Sequence, residues 1–258
     1  MRFCSLGSGS SGNATVVEAT SGITTTRLLV DAGFSLRELE TRLARAGLAP
    51  TDLDAVFVTH EHGDHIGCAL TLAERHDLPV WMSRGTWRAI GESAAPARLC
   101  FARDGDAIAI GDIELRPFTV AHDAAEPLQL RCSDGQHGLG VLTDLGSITE
   151  HMLDGIAGCV ALILECNHDE AMLAASRYPP SLKARIGGRY GHLSNALAVE
   201  LLGSGVGARL GRLVAAHLSR ENNRPELVRQ ALAGAWGSQP QDIVIADPVD
   251  GFAWLQLG

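Results

Sequence analysis

Thr59-His60-Glu61-His62-Gly63-Asp64-His65-Ile66-Gly67 sets four candidate metal ligands within six residues, at the end of the strand-like run 55–59. In an extended chain residues i and i+2 leave on the same side, so His60 and His62 can converge on one ion. Asp64 and His65 then turn toward a second position as a helix begins. Imidazole and carboxylate donors suit Zn²⁺ and tolerate Mn²⁺ or Fe²⁺, and the lack of thiolates argues against a purely structural zinc site. A polar loop with chance histidines would not concentrate them where a buried strand ends.

Outward from this stretch, short apolar runs alternate with amphipathic helices. Residues 28–30 read as a buried strand before Asp31. Residues 35–47 read as a helix, with Ser35 and Glu38 as a capping box, Leu36, Leu39 and Leu43 on one face and Gly47 at the stop. A helix is expected over 66–76 and a strand over 80–83. The middle, 107–145, is broken by Gly111-Asp112 and Asp134-Gly135, which are hairpin signals. Alternation returns with a strand at 160–164, a helix at 195–202, a strand at 213–216 and a helix from Pro225 to about 235. No short-period repeat, low-complexity tract or linker intervenes. Residues 1–258 are therefore expected to form one α/β domain, a sheet-on-sheet core flanked by helices.

The chain has 258 residues, 46% of them hydrophobic, and a formal charge of −9. That length can bury a sizeable core, and the composition is not that of a disordered chain. The acidic total argues against a generic DNA- or membrane-coating surface. The charge is unevenly spread, however. Residues 171–230 hold nine basic and three acidic residues, a net +6, which leaves −15 for the remainder, and 171–199 holds no acid at all. Six cysteines without CxxC or framework spacing read as reduced, buried small hydrophobes. The opening residues lack the apolar core of a signal peptide, and no run approaches a membrane span. A cytoplasmic protein is expected, with no membrane partner and with a homodimer left open.

Four further motifs follow in order, each at a strand end: Leu29-Val30-Asp31-Ala32-Gly33, Val120-Ala121-His122-Asp123, Leu142-Thr143-Asp144-Leu145-Gly146 and Ala215-Ala216-His217-Leu218-Ser219. With the HxHxDH pattern at 60–65 they resemble the metallo-β-lactamase fold over nearly the whole chain. The resemblance implies a four-layer αββα sandwich with two divalent metal ions, Zn²⁺ first and Mn²⁺ second. It implies His60, His62 and His122 on one ion, Asp64, His65 and His217 on the other, and Asp144 bridging both. Asp31 is similar to the family's acid that orients a ligand imidazole.

Residues 5–13 (Ser-Leu-Gly-Ser-Gly-Ser-Ser-Gly-Asn), 165–169 (Glu-Cys-Asn-His-Asp) and 217–223 (His-Leu-Ser-Arg-Glu-Asn-Asn) narrow this to a resemblance with the YycJ/WalJ group. That group is related to ribonuclease Z and associated with 5′-to-3′ exonuclease action on duplex DNA in mismatch repair. The implied chemistry is phosphodiester hydrolysis by a metal-bridged hydroxide, with Asp64 in the catalytic site and DNA ends as substrate. By the same resemblance His192, in Gly191-His192-Leu193-Ser194-Asn195, is the candidate proton donor to the leaving oxygen. Ser194 reads as a helix cap or an anion contact. Lys183 and Arg185 are candidate phosphate contacts, and His168 lies either at the metal site or in a structural role. The alternatives are an RNA-processing nuclease of ribonuclease Z type, a small-molecule phosphodiesterase, and a lactonase or thioesterase, which would not need the basic window. A non-catalytic metal- or DNA-binding module is the alternative from a different class.

Overall fold

The computed structural model, which describes residues 1–91 and 95–257, is built on two seven-stranded mixed sheets packed face to face. In the first sheet β1 (Arg2–Gly7), β2 (Ala14–Ser21), β3 (Thr24–Val30), β4 (Ala55–Phe57), β5 (Val80–Met82) and β6 (Leu99–Phe101) lie side by side in chain order. The second holds β7 (Ile108–Ile110), β8 (Ile113–Thr119), β9 (Leu128–Ser133), β10 (Gly138–Leu142), β11 (Ala161–Glu165), β12 (Arg212–Ala216) and β13 (Val244–Ile245). The last strand, β14 (Phe252–Gln256), returns to the first sheet and pairs antiparallel with β1. Strands β3–β6 are mutually parallel, as are β10–β13. Parallel neighbours need crossovers, and these carry the helices. In chain order they are α1 (Leu36–Arg45), α2 (Gly63–Ile66), α3 (Ala69–His76), α4 (Arg84–Ala89), α5 (Glu150–Gly155), α6 (Glu170–Ala175), α7 (Pro180–Ile186), α8 (Asn195–Leu201) and α9 (Pro225–Trp236).

Strand alternation sorts the side chains into layers. Leu28, Val30 and Phe57 point between the sheets, where they meet Leu115, Leu128, Leu130, Val141 and Ile163. Leu29, Val56 and Val58 point the other way, onto Leu39 and Leu43 of α1 and Leu72 of α3. Leu162, Leu164 and Leu213 face Leu201 of α8 and Val228 and Leu232 of α9. This is the αββα order implied by the motifs. Both faces of each central strand are buried, which is why 28–30 and 160–164 read as unbroken apolar runs rather than alternating ones.

Two local expectations are corrected. The expected helix 66–76 is split into α2 and α3 at Gly67, whose φ is +31°. A Cβ there would come within 2.3 Å of the Ala32 carbonyl oxygen, so the chain turns where only glycine fits. The expected capping box of α1 forms by half: Ser35 accepts from the Glu38 N–H at 3.3 Å, while the Glu38 carboxylate pairs with Arg42 at 2.7 Å. The two expected hairpins are present, with Gly111-Asp112 joining β7 to β8 and the segment holding Asp134-Gly135 joining β9 to β10.

Candidate metal centre

The parallel strands of both sheets, together with β8, end at one edge, and the polar residues that follow those ends converge there. Asp31 follows β3, His60 follows β4, His122 follows β8, Asp144 follows β10, Glu165 closes β11 and His217 follows β12. Loops beyond the carboxyl ends of parallel strands are where such folds place ligands. Three of these residues have positive φ: Asp31 at 61°, Asp144 at 58° and His217 at 55°. Asp and His tolerate that region better than most residues, but each such position costs about 1–3 kcal/mol, a strain typical of functional sites.

Hydrogen bonds on the outer ring nitrogens set the tautomers. The His122 Nδ1–H donates to the Gly191 carbonyl at 3.0 Å, which leaves Nε2 without a proton in the neutral ring. The Thr59 hydroxyl donates its one proton to Asp31, so its oxygen accepts from His60 Nδ1 at 3.0 Å and again frees Nε2. These two Nε2 atoms lie 3.1 Å and 3.3 Å from His62 Nδ1. A proton on His62 can satisfy one of those contacts, not both. A cation between the three lone pairs satisfies all of them. Burial holds both His60 and His122 below the ordinary imidazole range, which keeps the rings neutral.

A second group gathers Asp64, His65 and His217, with Asp64 Oδ2 lying 3.6 Å from His65 Nε2 and 3.4 Å from His217 Nε2. The outer nitrogens are again occupied, His65 Nδ1 by Asp31 at 2.8 Å and His217 Nδ1 by Glu165 at 2.9 Å. Asp144 stands between the groups. Its Oδ2 is 2.6 Å from His65 Nε2 but out of line, and has no hydrogen-bond partner among the described residues. A fully buried carboxylate oxygen left so is costly unless a cation faces it. Burial alone would raise the Asp144 carboxyl, but His217 and His65 outweigh it and hold it well below the usual range. Burial would likewise lower His65, yet Asp144 and Asp31 raise it well above the imidazole range, and His217 rises to about 9. The site thus draws positive charge, and protons take the positions a divalent ion would compete for. The donor set, its burial and the orphaned oxygen all fit metal ions.

Glu165 is the residue whose role the sequence does not announce. It is fully buried and accepts from His192 Nδ1 at 2.8 Å, His217 Nδ1 at 2.9 Å, and the Leu145 and Leu193 N–H groups at 2.8 and 3.1 Å. Burial pushes its carboxyl up, and His192 with these hydrogen bonds brings it below the ordinary value. The available signal is an acid closing a five-residue apolar strand. Asn13 is a second such residue: its Nδ2 lies 3.1 Å from His65 Nε2 and 3.3 Å from the Asp64 carbonyl.

His192 joins the same network, with Nδ1 also 3.1 Å from Asp144 Oδ1. Burial lowers its pKa, but Glu165 and Asp144 prevail and raise it to about 11. Its side chain is 23% exposed, so the ring reaches solvent while Nδ1 stays anchored. Arg185 stands at the rim, donating to Asp123 at 2.6 Å beside His122. The remaining expected residues are not brought into the cluster. Ser194 caps α8, accepting from Leu197 N–H at 3.2 Å and donating to Glu170 at 3.0 Å. Lys183 donates to the Ala174 carbonyl at 2.6 Å. His168 is buried, bridges through its backbone to Ser194, and belongs to none of the ligand groups.

An αββα sandwich with clustered His and Asp at its strand ends defines the metallo-β-lactamase-fold hydrolases, and the chain belongs to the β-lactamase superfamily: a family model described as a beta-lactamase superfamily domain matches residues 26–217. Among curated proteins it is similar to exodeoxyribonuclease YycJ of Bacillus anthracis, 37% identical over 237 residues, covering 90% of this chain and 88% of that one. It is 33% identical over 236 residues to exodeoxyribonuclease WalJ of Streptococcus pneumoniae serotype 2, covering 90% and 86%. The fold is shared with the metallo-beta-lactamase fold protein YhfI of Bacillus subtilis, with a TM-score of 0.74 at 18% identity over 99% of each chain. It is shared too with human tRNase Z, short form, with a TM-score of 0.67 at 16% identity over 100% of each chain. At these identities the two structures speak for the fold alone. Among the described residues no helix is long and apolar enough to cross a membrane.

Proposed function

We propose that this protein is a metal-dependent phosphodiesterase that degrades DNA from its 5′ end, in repair, and works in the cytoplasm. The observation that carries the reading is the convergence of the proton-free His60 and His122 ring nitrogens on one position, with the unpartnered buried carboxylate oxygen of Asp144 at the next. His60, His62 and His122 would hold one ion, Asp64, His65 and His217 a second, with Asp144 reaching both. Zn²⁺ or Mn²⁺ there supplies a lowered pKa for water and offsets the charge that builds on the phosphodiester oxygens. The names of the two curated relatives and the acid-free basic segment 171–199 support nucleic acid as the substrate. The unpaired thiols suit a reducing compartment.

The chain's own residues orient and move protons. Asp31, Thr59, Glu165 and the Gly191 carbonyl each hold the outer nitrogen of one imidazole, so that the other nitrogen of each ring faces inward, where His65 and His217 would each release a proton on binding metal. His192 keeps Nδ1 on the carboxylates of Glu165 and Asp144, which leaves Nε2 to carry a proton to the leaving oxygen. Arg185, at the rim, faces the approach of an anionic substrate.

The test is a cleavage panel of 5′-labelled duplex DNA, single-stranded DNA, precursor tRNA and a lactone, run with Zn²⁺ and with Mn²⁺. DNA is expected to lose its label as short products, with Asp64→Ala and His192→Ala each lowering the rate by at least about 100-fold. Metal-loaded protein that leaves both DNAs intact refutes the substrate. Full activity in Asp64→Ala refutes the site.

A further inference from the structure

The chain has two tyrosines, Tyr178 and Tyr190, and both fall in the acid-free segment 171–199, together with four basic residues. Tyr178 forms one wall of a cavity of about 270 Å³, whose other walls include Ser10, Ser11, Ser219 and Arg220, with Glu221 also lining it. The wall residues Leu218 and Ser219 follow His217 directly, and Ser8, the chain neighbour of the wall residue Gly9, accepts from the His217 N–H at 2.9 Å. Along the chain, the cavity lining therefore starts one residue after His217.

Two of its parts are held through backbone contacts, while Ser10, Ser11 and Arg220 are exposed. Asn13 accepts from the Ser8 hydroxyl at 3.0 Å and the Gly9 N–H at 2.9 Å, and this pins the turn so that Ser10 and Ser11 stay exposed. The Tyr178 N–H donates to Ser176 Oγ at 3.4 Å, and Pro179 disfavours helical backbone at Tyr178. A backbone so restricted leaves less freedom to lose when a flat partner stacks on the ring. Among the described residues no ion pair engages the exposed Arg220 guanidinium. An aromatic ring, a cation without an ion pair among the described residues and exposed hydroxyls, beside the single acid Glu221, are the kinds of group that grip single-stranded nucleic acid.

We propose that this groove holds one strand of DNA next to the cleavage position, with a base stacked on Tyr178 and a neighbouring phosphate on Arg220. The inference rests on the nucleic-acid reading above and adds where the strand lies and which residues grip it. Tyr178 and Arg220 are substrate-positioning residues in this scheme, and Ser10 and Ser11 supply hydroxyls to the backbone.

The test uses a short, 5′-fluorescent oligodeoxythymidylate with cleavage-resistant phosphorothioate links, titrated into the metal-loaded full chain by anisotropy. Tyr178→Ala is expected to weaken binding by about 5- to 150-fold, and Tyr178→Phe, which keeps the ring, by less than about twofold. Arg220→Ala is expected to reduce the log–log salt slope by about one. In the wild type, light-induced crosslinking of an oligonucleotide carrying 5-iododeoxyuridine is expected to mark the peptide with Tyr178. Wild-type affinity in both Tyr178→Ala and Arg220→Ala, or an adduct that maps away from the groove, overturns the proposal. Because the oligonucleotide resists cleavage, this outcome is independent of the cleavage panel that tests the reaction itself.

Discussion

Replacing Glu165 by Gln keeps the shape of a fully buried side chain but removes its charge and half of its acceptor capacity. The carboxylate takes two imidazole N–H groups on Oε1, at 2.8 and 2.9 Å, and two backbone N–H groups on Oε2, at 2.8 and 3.1 Å. An amide oxygen can serve one of these pairs, and the amide NH₂ then points at the donors of the other. Two buried donors lose their acceptor, each at about 1–3 kcal/mol, so the variant is expected to lose about 2–6 kcal/mol of stability. Each kcal/mol is worth about 2–4 °C in a chain of this size, which predicts a fall in Tm of at least about 4 °C. If the NH₂ turns toward the imidazoles, His217 and His192 lose the bond that orients them, and metal affinity is expected to fall about 10- to 100-fold. Calorimetry on chelator-treated protein reads the first effect, and competition with a chromophoric chelator reads the second. A variant that melts within about 1 °C of wild type and binds zinc equally well refutes the role given to Glu165.

Asp31→Asn keeps a residue type that tolerates φ 61° but weakens the grip on His65 Nδ1, now 2.8 Å away; zinc affinity is expected to drop about 10-fold or more with circular dichroism unchanged. Gly33→Ala places a Cβ 1.7 Å from the Asp64 carbonyl oxygen, so the two loops must part, and both Tm and bound metal are expected to fall. Acid sensitivity has a defined sign at Glu18. Burial pushes its carboxyl up, but Arg2 at 2.6 Å and Arg27 at 2.7 Å outweigh it and lower the folded pKa. That contribution is full above the unfolded pKa of about 4.3 and is lost as pH falls through the folded value. Urea midpoints of the metal-free protein between about pH 5 and pH 3 are expected to fall less steeply in Glu18→Gln than in wild type.

Residues 59–67 were readable because covalent spacing does the work. Once a strand ends at that point, His60 and His62 leave on one side whatever the rest of the chain does. Asp31, His122, Asp144 and His217 were readable through the resemblance, as motifs in the order of the metallo-β-lactamase fold. Glu165 and Asn13 were not assigned a role, because nothing near them in sequence states what they will touch. Glu165 meets residues 145, 192, 193 and 217, and Asn13 meets Asp64 and His65. Ser194 and Lys183 show the reverse case. Their residue types suit phosphate, but Glu170 and the Ala174 carbonyl occupy them.

The sequence determined the sheet-on-sheet pattern and the donor types at residues 60–65 through strand periodicity and local spacing, and its resemblance to the metallo-β-lactamase fold implied the four-layer order and the edge on which the polar loops gather. Tertiary structure decided which ring nitrogen faces inward. For His122 and His217 that choice belongs to partners far along the chain, Gly191 and Glu165, and a hydrogen bond closes only where folding has brought both groups within about 3 Å.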